Sequence, residues 1–371
     1  MFKDRRSYLL AIFTGTMIFL YGKIDFTQDP YRNWDLSVYK SMAVSVPDIN
    51  QNTPRPYSYR IFGPYLVGLM PVSEENGFYI ISVAVALSTV ILFYRFLCGI
   101  GLSANASTIA AILFCLNKYT FGFFVWNYFH LNDLLSLLFV ILSFESLHKS
   151  NWPLFGLVLF VGTMTREVAM LMIPVSVIYL LEIGQFRHQI RGLLCSILPC
   201  VFVFFLIRYS IAAPGPGLLE ALQIHYSKIK NPEICYRLLI NAFIPISIVP
   251  LIFFRTTAEF FKTRFYSLFF LLLVYSSSLF GTDNERLLAP AAVIVYWLIG
   301  SVIDTQDLLK RYVVSTLLSA AFISSIHYRM WRFELISKDM TVALSLLSFF
   351  VVSLFCLCIR MQITTRKTNE G

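Results

Sequence analysis

Charge is scarce in this chain. Only 14% of its 371 residues are Asp, Glu, Lys or Arg, against 57% apolar, where a soluble protein carries about a quarter charged residues. No polar interval is long enough to enclose a core of its own, which argues against a soluble globular domain. Other absences narrow the reading further. The seven cysteines (Cys98, Cys115, Cys195, Cys200, Cys235, Cys356 and Cys358) form no CxxC pair, so neither a disulfide framework nor a zinc site is expected. There is no P-loop, GxSxG, HExxH or dinucleotide fingerprint. No basic patch alternates with aromatics on a soluble segment, so a nucleic-acid partner is not expected. No inverted repeat of the transporter kind is visible. No small-residue cleavage site follows the first apolar run, which reads as a retained span.

What the chain has is long apolar runs and a mean hydropathy of +0.69. About a dozen runs fall at 8–22, 77–97, 104–124, 132–147, 152–165, 167–183, 192–212, 235–254, 265–281, 287–303, 312–328 and 340–359. A spanning helix needs about 20 mainly apolar residues, and shorter or tilted helices occur around internal cavities. The expectation is an all-α, polytopic membrane protein with about 11–13 transmembrane helices, a single integral membrane domain over 1–371. Residues 1–7 carry Lys3, Arg5 and Arg6 and are placed inside, as is the C-terminus. Lys and Arg then divide evenly between the sides, while the acids crowd the outer one. The outer interval 22–76 follows the first span. Within it, 35–46 predicts a short amphipathic helix and 58–70 an interfacial or re-entrant one. A second outer interval, 213–234, predicts a loop with a surface helix, and 328–339 is the last outer loop.

With that alternation, the polar residues able to do chemistry land on one face. Asp29 and Asp35, in DFTQDPYRNWDLSVY, lie just outside the first span. A carboxylate there can accept a proton from a hydroxyl or help hold a divalent cation, and Asp35 can equally be a helix N-cap. Arg60, in RPYSYRIFGPYL, opens an interfacial stretch and can bind phosphate bidentately or snorkel to a headgroup. His130 and Asp133, in FHLNDLLSLLF, share one helix face by their i, i+3 spacing. Arg166 and Glu167, in GTMTREVAMLMIP, interrupt a nearly continuous apolar stretch, either as a site pair or as a turn. Asp283, Glu285 and Arg286, in GTDNERLLAPAAV, open a late span, with Arg286 a second phosphate ligand or part of a capped, charged loop.

In layout and short motifs, over roughly residues 8–300, the chain resembles the polytopic C-type glycosyltransferases, which use lipid-phosphate-linked sugars. WDLSVYKSMA is similar to that family's acid-containing segment after the first span. PYSYRIFGPYLV is similar to its arginine-containing stretch, TMTREVAMLMIP to its basic–acidic turn, and GTDNERLLAPAAV to its Asp…Arg segment. No adjacent Asp-Asp or Asp-Glu pair stands in the first outer loop. The resemblance implies a hexosyltransferase, mannosyltransferase-like, taking a polyprenyl-phosphate-linked donor and a glycan, lipid or protein acceptor at the periplasmic or lumenal face, with a bacterial inner membrane favoured over an endoplasmic reticulum. It implies Asp35 as the base, with Asp29 in reserve. Arg60, Arg166 and Arg286 would bind the donor phosphate, and Asp133, His130, Glu167 and Asp283 would orient them. Any Mg2+ or Mn2+ would sit on Asp29 and Asp35. Two rival readings stay open: a transporter or flippase of an anionic lipid-linked substrate, and a polysaccharide polymerase or ligase.

Overall fold

The computed structural model describes residues 4–27, 35–50, 52–211, 231–279, 283–306 and 311–369. All regular structure among them is helical. Four helices are long and apolar enough to cross a membrane: Glu74–Gly99, Tyr128–His148, Phe186–Ser210 and Lys338–Gln362. Two bent pairs raise that number to six if each is one span. The remaining apolar runs form shorter helices, among them Trp152–Thr165, Phe265–Ser278 and Ala289–Thr305. The first run is a 17-residue helix, Arg5–Tyr21. The sequence expectation of about a dozen runs thus resolves into fewer full-length spanning helices and several short ones. A 14-residue helix such as Trp152–Thr165 rises only about 21 Å at 1.5 Å per residue.

Local chemistry sets the helix ends. Asp4 caps Arg5–Tyr21 by accepting from the Arg6 amide, and Gly22, at φ +70°, ends it in a conformation that favours glycine. Ser103 caps Ala104–Cys115 by accepting from the Ala106 amide. Asn117 begins the next segment: its side-chain oxygen accepts from the amides of Tyr119 (3.0 Å) and Thr120 (2.8 Å). The chain bends there by 56° into Lys118–Trp126. The second bent pair, Pro232–Phe243 and Ile246–Ile252, turns through 101°. Pro245, with no amide proton to give, sits at that break. The two breaks meet, because the Asn117 amide donates to the Ala242 carbonyl and to the Tyr296 hydroxyl, both at 2.9 Å. Interrupted backbone inside an apolar bundle is tolerated where protein buries it or where it lines a cavity, and both conditions hold here.

The polar contacts segregate to two ends of the bundle. At one end Asp4 accepts from Tyr94, Ser103 donates to Asp304, and Glu182 accepts from the amides of Phe265 and Tyr266. At the other end lie Asp35, Arg60, Glu167, Arg208, Glu285 and Arg286, tied by ion pairs. Between the ends sits an aromatic core, with Trp297 fully buried and its ring 5.4 Å from Phe96 and 5.2 Å from Phe260. Tyr128–His148 runs through the centre, 78% buried over its most apolar stretch, while the corresponding stretches of Phe186–Ser210 and Lys338–Gln362 are 28% buried. Those two carry exposed rows such as Leu198, Phe202 and Phe205, and Leu347, Phe350 and Leu354, which suit a lipid surround.

The expected outer helices form as Leu36–Val44 and Phe62–Gly68. They cross at Gly68, where a Cβ would lie 2.4 Å from the Ala43 carbonyl oxygen and 2.6 Å from Val46. Asn132 staples the second to the central helix, accepting from the Gly63 amide and donating to the Arg60 carbonyl, both at 3.1 Å. The interval 213–234 falls almost wholly outside the described residues. Gly68→Val is expected to cost about 1–3 kcal/mol by overpacking, read as a lower thermal midpoint of the detergent-solubilised protein. Gly15→Ala, with open space around it, is expected to hold or raise the midpoint. An unchanged midpoint for Gly68→Val would contradict this crossing.

Candidate functional site

A cavity of about 620 Å³ opens among the polar groups of the second end. Segments from along the whole chain build it. Asp35 comes from the start of Leu36–Val44 and Tyr57 from the turn before Phe62–Gly68. Lys118, Tyr119 and Phe123 come from the bent segment after Asn117, and His130 from the head of the central helix. Arg237 and Asn241 come from the second broken helix, facing Asp283, Glu285 and Arg286. Arg332, Lys338, Thr341 and Ser345 close the side opposite.

Asp35 occupies the N-cap position of its helix but makes no capping bond. Its carboxylate instead accepts from the Tyr57 hydroxyl at 2.7 Å and lies 3.8 Å from Arg286. Burial, and then the bond to Asp35, raise the Tyr57 hydroxyl above the usual phenol range. Tyr57 therefore stays protonated and remains a donor to Asp35. Arg286 is the hub: its guanidinium lies 3.3 Å from Asp283, 3.9 Å from Asp133 and 2.7 Å from His130 Nδ1. Asp133 in turn contacts His130 Nδ1 at 3.2 Å. The i, i+3 pair read from the sequence does share one helix face, turned toward Arg286.

The adjacent Arg166 and Glu167 part company. They lie at the break between Trp152–Thr165 and the turn Glu167–Leu171 that leads into Met172–Glu182, where Gly162 packs against Ala169. Arg166 is buried and makes an ion pair with Asp133. Glu167 bridges Arg60 at 3.3 Å and Arg208 at 3.4 Å, and Arg208 stacks on Tyr59. Of the three arginines expected to meet a phosphate, Arg286 lines the cavity, while Arg60 and Arg166 sit behind its wall in ion pairs with Glu167 and Asp133. Asp29 lies outside the described residues.

Sequence reasoning passed over several lining residues. Lys118 is 4% exposed and donates to Ser345 at 2.8 Å. The signal was present, since a lysine inside the apolar run 104–124 is a functional pointer by its cost alone. Arg237 binds Glu285 through both carboxylate oxygens, at 2.6 and 2.7 Å, and Asn241 donates to the same group at 3.1 Å. Arg332 stacks on Trp126 at 3.6 Å. Arg332 and Lys338 stood in the last outer loop without an assigned role.

No group of three or more His, Cys, Asp or Glu gathers to hold an ion among the described residues. The described acid named for a divalent cation, Asp35, is engaged by Tyr57 and faces a guanidinium, whereas Mg2+ requires an octahedron of oxygens. The described donors do not fit such an ion, and no step is routed through a metal. Comparison of the chain with protein-family models, curated proteins and solved structures found no match.

Breaking the buried Asp133–Arg166 pair from one side strands the other charge, at a cost of about 3–5 kcal/mol. Asp133→Leu and Arg166→Leu are each expected to lose folded protein on size-exclusion chromatography. The double variant is expected to recover most of it. A double variant as damaged as the singles would show that the pair is not the relevant unit.

Proposed function

We propose that the protein is a multi-pass membrane glycosyltransferase of the C-type architecture, moving a sugar from a polyprenyl-phosphate-linked donor to an acceptor hydroxyl at the periplasmic or lumenal face. In this reading the short helices complete about 11–13 crossings as tilted or locally thinned spans. The observation that carries it is one cavity, at one polar end of an apolar helical bundle, holding an inward-facing carboxylate on a tyrosine donor beside a set of cations. A base and an anion cradle within one cavity are what glycosyl transfer from a phosphate requires.

Asp35 Oδ takes the proton of the acceptor hydroxyl as that oxygen forms its bond to the anomeric carbon. The bond from the anomeric carbon to the phosphate oxygen breaks on the opposite side, and its electron pair leaves with the phosphate. The anomeric centre inverts, and the proton rests on Asp35. Tyr57 holds the carboxylate in place, and Arg286 fixes its position relative to Asp283 and His130.

The test is transfer of radiolabelled sugar from a panel of polyprenyl-phosphate sugars by the purified protein in lipid. Asp35→Asn is expected to lower turnover by about 10²–10⁴-fold. Wild-type donor binding without transfer would replace this reading with a transporter. Full activity in Asp35→Asn would remove Asp35 as the base.

A further inference from the structure

Beside the acid wall around Arg286, the cavity carries a second polar group. Arg237 and Asn241 stand four residues apart, a spacing that puts them on one helical face, and both line the cavity with Tyr236 and Glu285. Glu285 is 2% exposed. One of its oxygens accepts from Arg237 Nε at 2.6 Å and from Asn241 Nδ2 at 3.1 Å, and the other accepts from Arg237 Nη2 at 2.7 Å. Asn241 Nδ2 also donates to the Tyr119 hydroxyl at 2.9 Å. A carboxylate can only accept, so Glu285 decides which way the Asn241 amide faces: nitrogen toward the carboxylate, Oδ1 away from it. In the same way Glu285 takes one edge of the Arg237 guanidinium and leaves Nη1 on the other. Neither Arg237 Nη1 nor Asn241 Oδ1 makes a hydrogen bond to a described residue. The backbone next to Asn241 is held too, since the Ala242 carbonyl accepts from Asn117 at 2.9 Å.

From this arrangement we infer that Arg237 and Asn241 form the hydroxyl-reading subsite for the sugar: Arg237 Nη1 donates to one ring hydroxyl, Asn241 Oδ1 accepts from its neighbour, and the Tyr236 ring takes the C–H face of the sugar. This rests on the transferase reading and adds the groups that recognise the sugar. Each sugar hydroxyl is both a donor and an acceptor, so two adjacent ones match a fixed donor beside a fixed acceptor. Both groups are held by one carboxylate, and a pair already ordered loses little freedom on binding. Arg237 is charge-matched by Glu285, which also acts electrostatically on Lys118. The open edge of the fork therefore offers directed hydrogen bonds, which suit a neutral hydroxyl. Tyr236 is 39% exposed, which leaves ring surface for the apolar side of a pyranose. A site built for hydroxyls discriminates against a ligand lacking them, because its polar groups are then left unpaired.

The experiment measures binding of farnesyl phosphate and of its mannosyl, glucosyl and galactosyl esters to the full-length protein in nanodiscs, by microscale thermophoresis. Asn241→Leu, Arg237→Lys and the surface control Lys40→Gln run beside wild type. Asn241→Leu removes the acceptor, while Arg237→Lys keeps a cation opposite Glu285 and loses the second edge of the fork. Wild type is expected to bind at least one sugar ester about tenfold or more tightly than farnesyl phosphate, the gain of about two net hydrogen bonds. In Asn241→Leu and Arg237→Lys that preference is expected to fall below about threefold, with the affinity for farnesyl phosphate itself held within about threefold. Lys40→Gln is expected to keep the wild-type preference. A wild type that binds all four probes alike overturns the proposal, as does a preference unchanged in folded Asn241→Leu. If that variant does not fold, an unchanged preference in Arg237→Lys does so. Sugar transfer that depends on Asp35, with a donor preference indifferent to Arg237 and Asn241, leaves the transferase reading standing and sinks this subsite. A preference that collapses in both variants, in a protein that transfers no sugar, does the reverse.

Discussion

The geometry of the site depends on one guanidinium. Arg286 gathers Asp35 from the start of Leu36–Val44, Asp283 from its own loop, and His130 and Asp133 from the central helix. Three carboxylates this close would repel one another without a cation among them. Arg286 therefore holds the polar end together as much as it furnishes the cavity. The same neutralisation limits its use toward a substrate anion. A second buried pair, Arg166 with Asp133, backs the hub from behind, so the acid wall is fixed from two directions.

Another part of the cavity lining exists because two helices break. Asn117 ends one run and caps the next, and Pro245 interrupts the other. The breaks bring Lys118, Arg237 and Asn241 to the cavity. Unbroken helices would carry these side chains along the bundle with no reason to converge. The Asn117 amide, bonded to Ala242 and Tyr296, ties the two irregular segments together and meets the requirement that buried backbone polar groups be paired.

Much of this was legible in the sequence, and the misses have physical causes. Alternating the apolar runs across a membrane placed Asp35, His130, Asp133, Asp283 and Arg286 on one face, and these five are together in the structure because helix ends must alternate if short loops join them. The amphipathic stretch at 35–46 forms its helix because its apolar positions recur at helical spacing. The number of full-length spans was not legible, since a window of apolar residues does not register a break at Asn117 or Pro245. Lys118 was hidden for the same reason, one charge averaged away among apolar neighbours. Arg166 and Glu167 misled in another way. Neighbours in sequence at an extended-to-helix turn point apart, and here one turns to Asp133 and the other to Arg60 and Arg208. Adjacency suggested one site, but the fold divides the two residues between separate ion pairs.

The most direct test of this account is an electron cryomicroscopy map of the protein in lipid with a short-chain polyprenyl-phosphate sugar bound. The account predicts the donor sugar inside the cavity, with its anomeric carbon on the side of Asp35 and room for an acceptor hydroxyl within about 3 Å of the Asp35 carboxylate. A donor lying outside the cavity, or a sugar out of reach of Asp35, would contradict it.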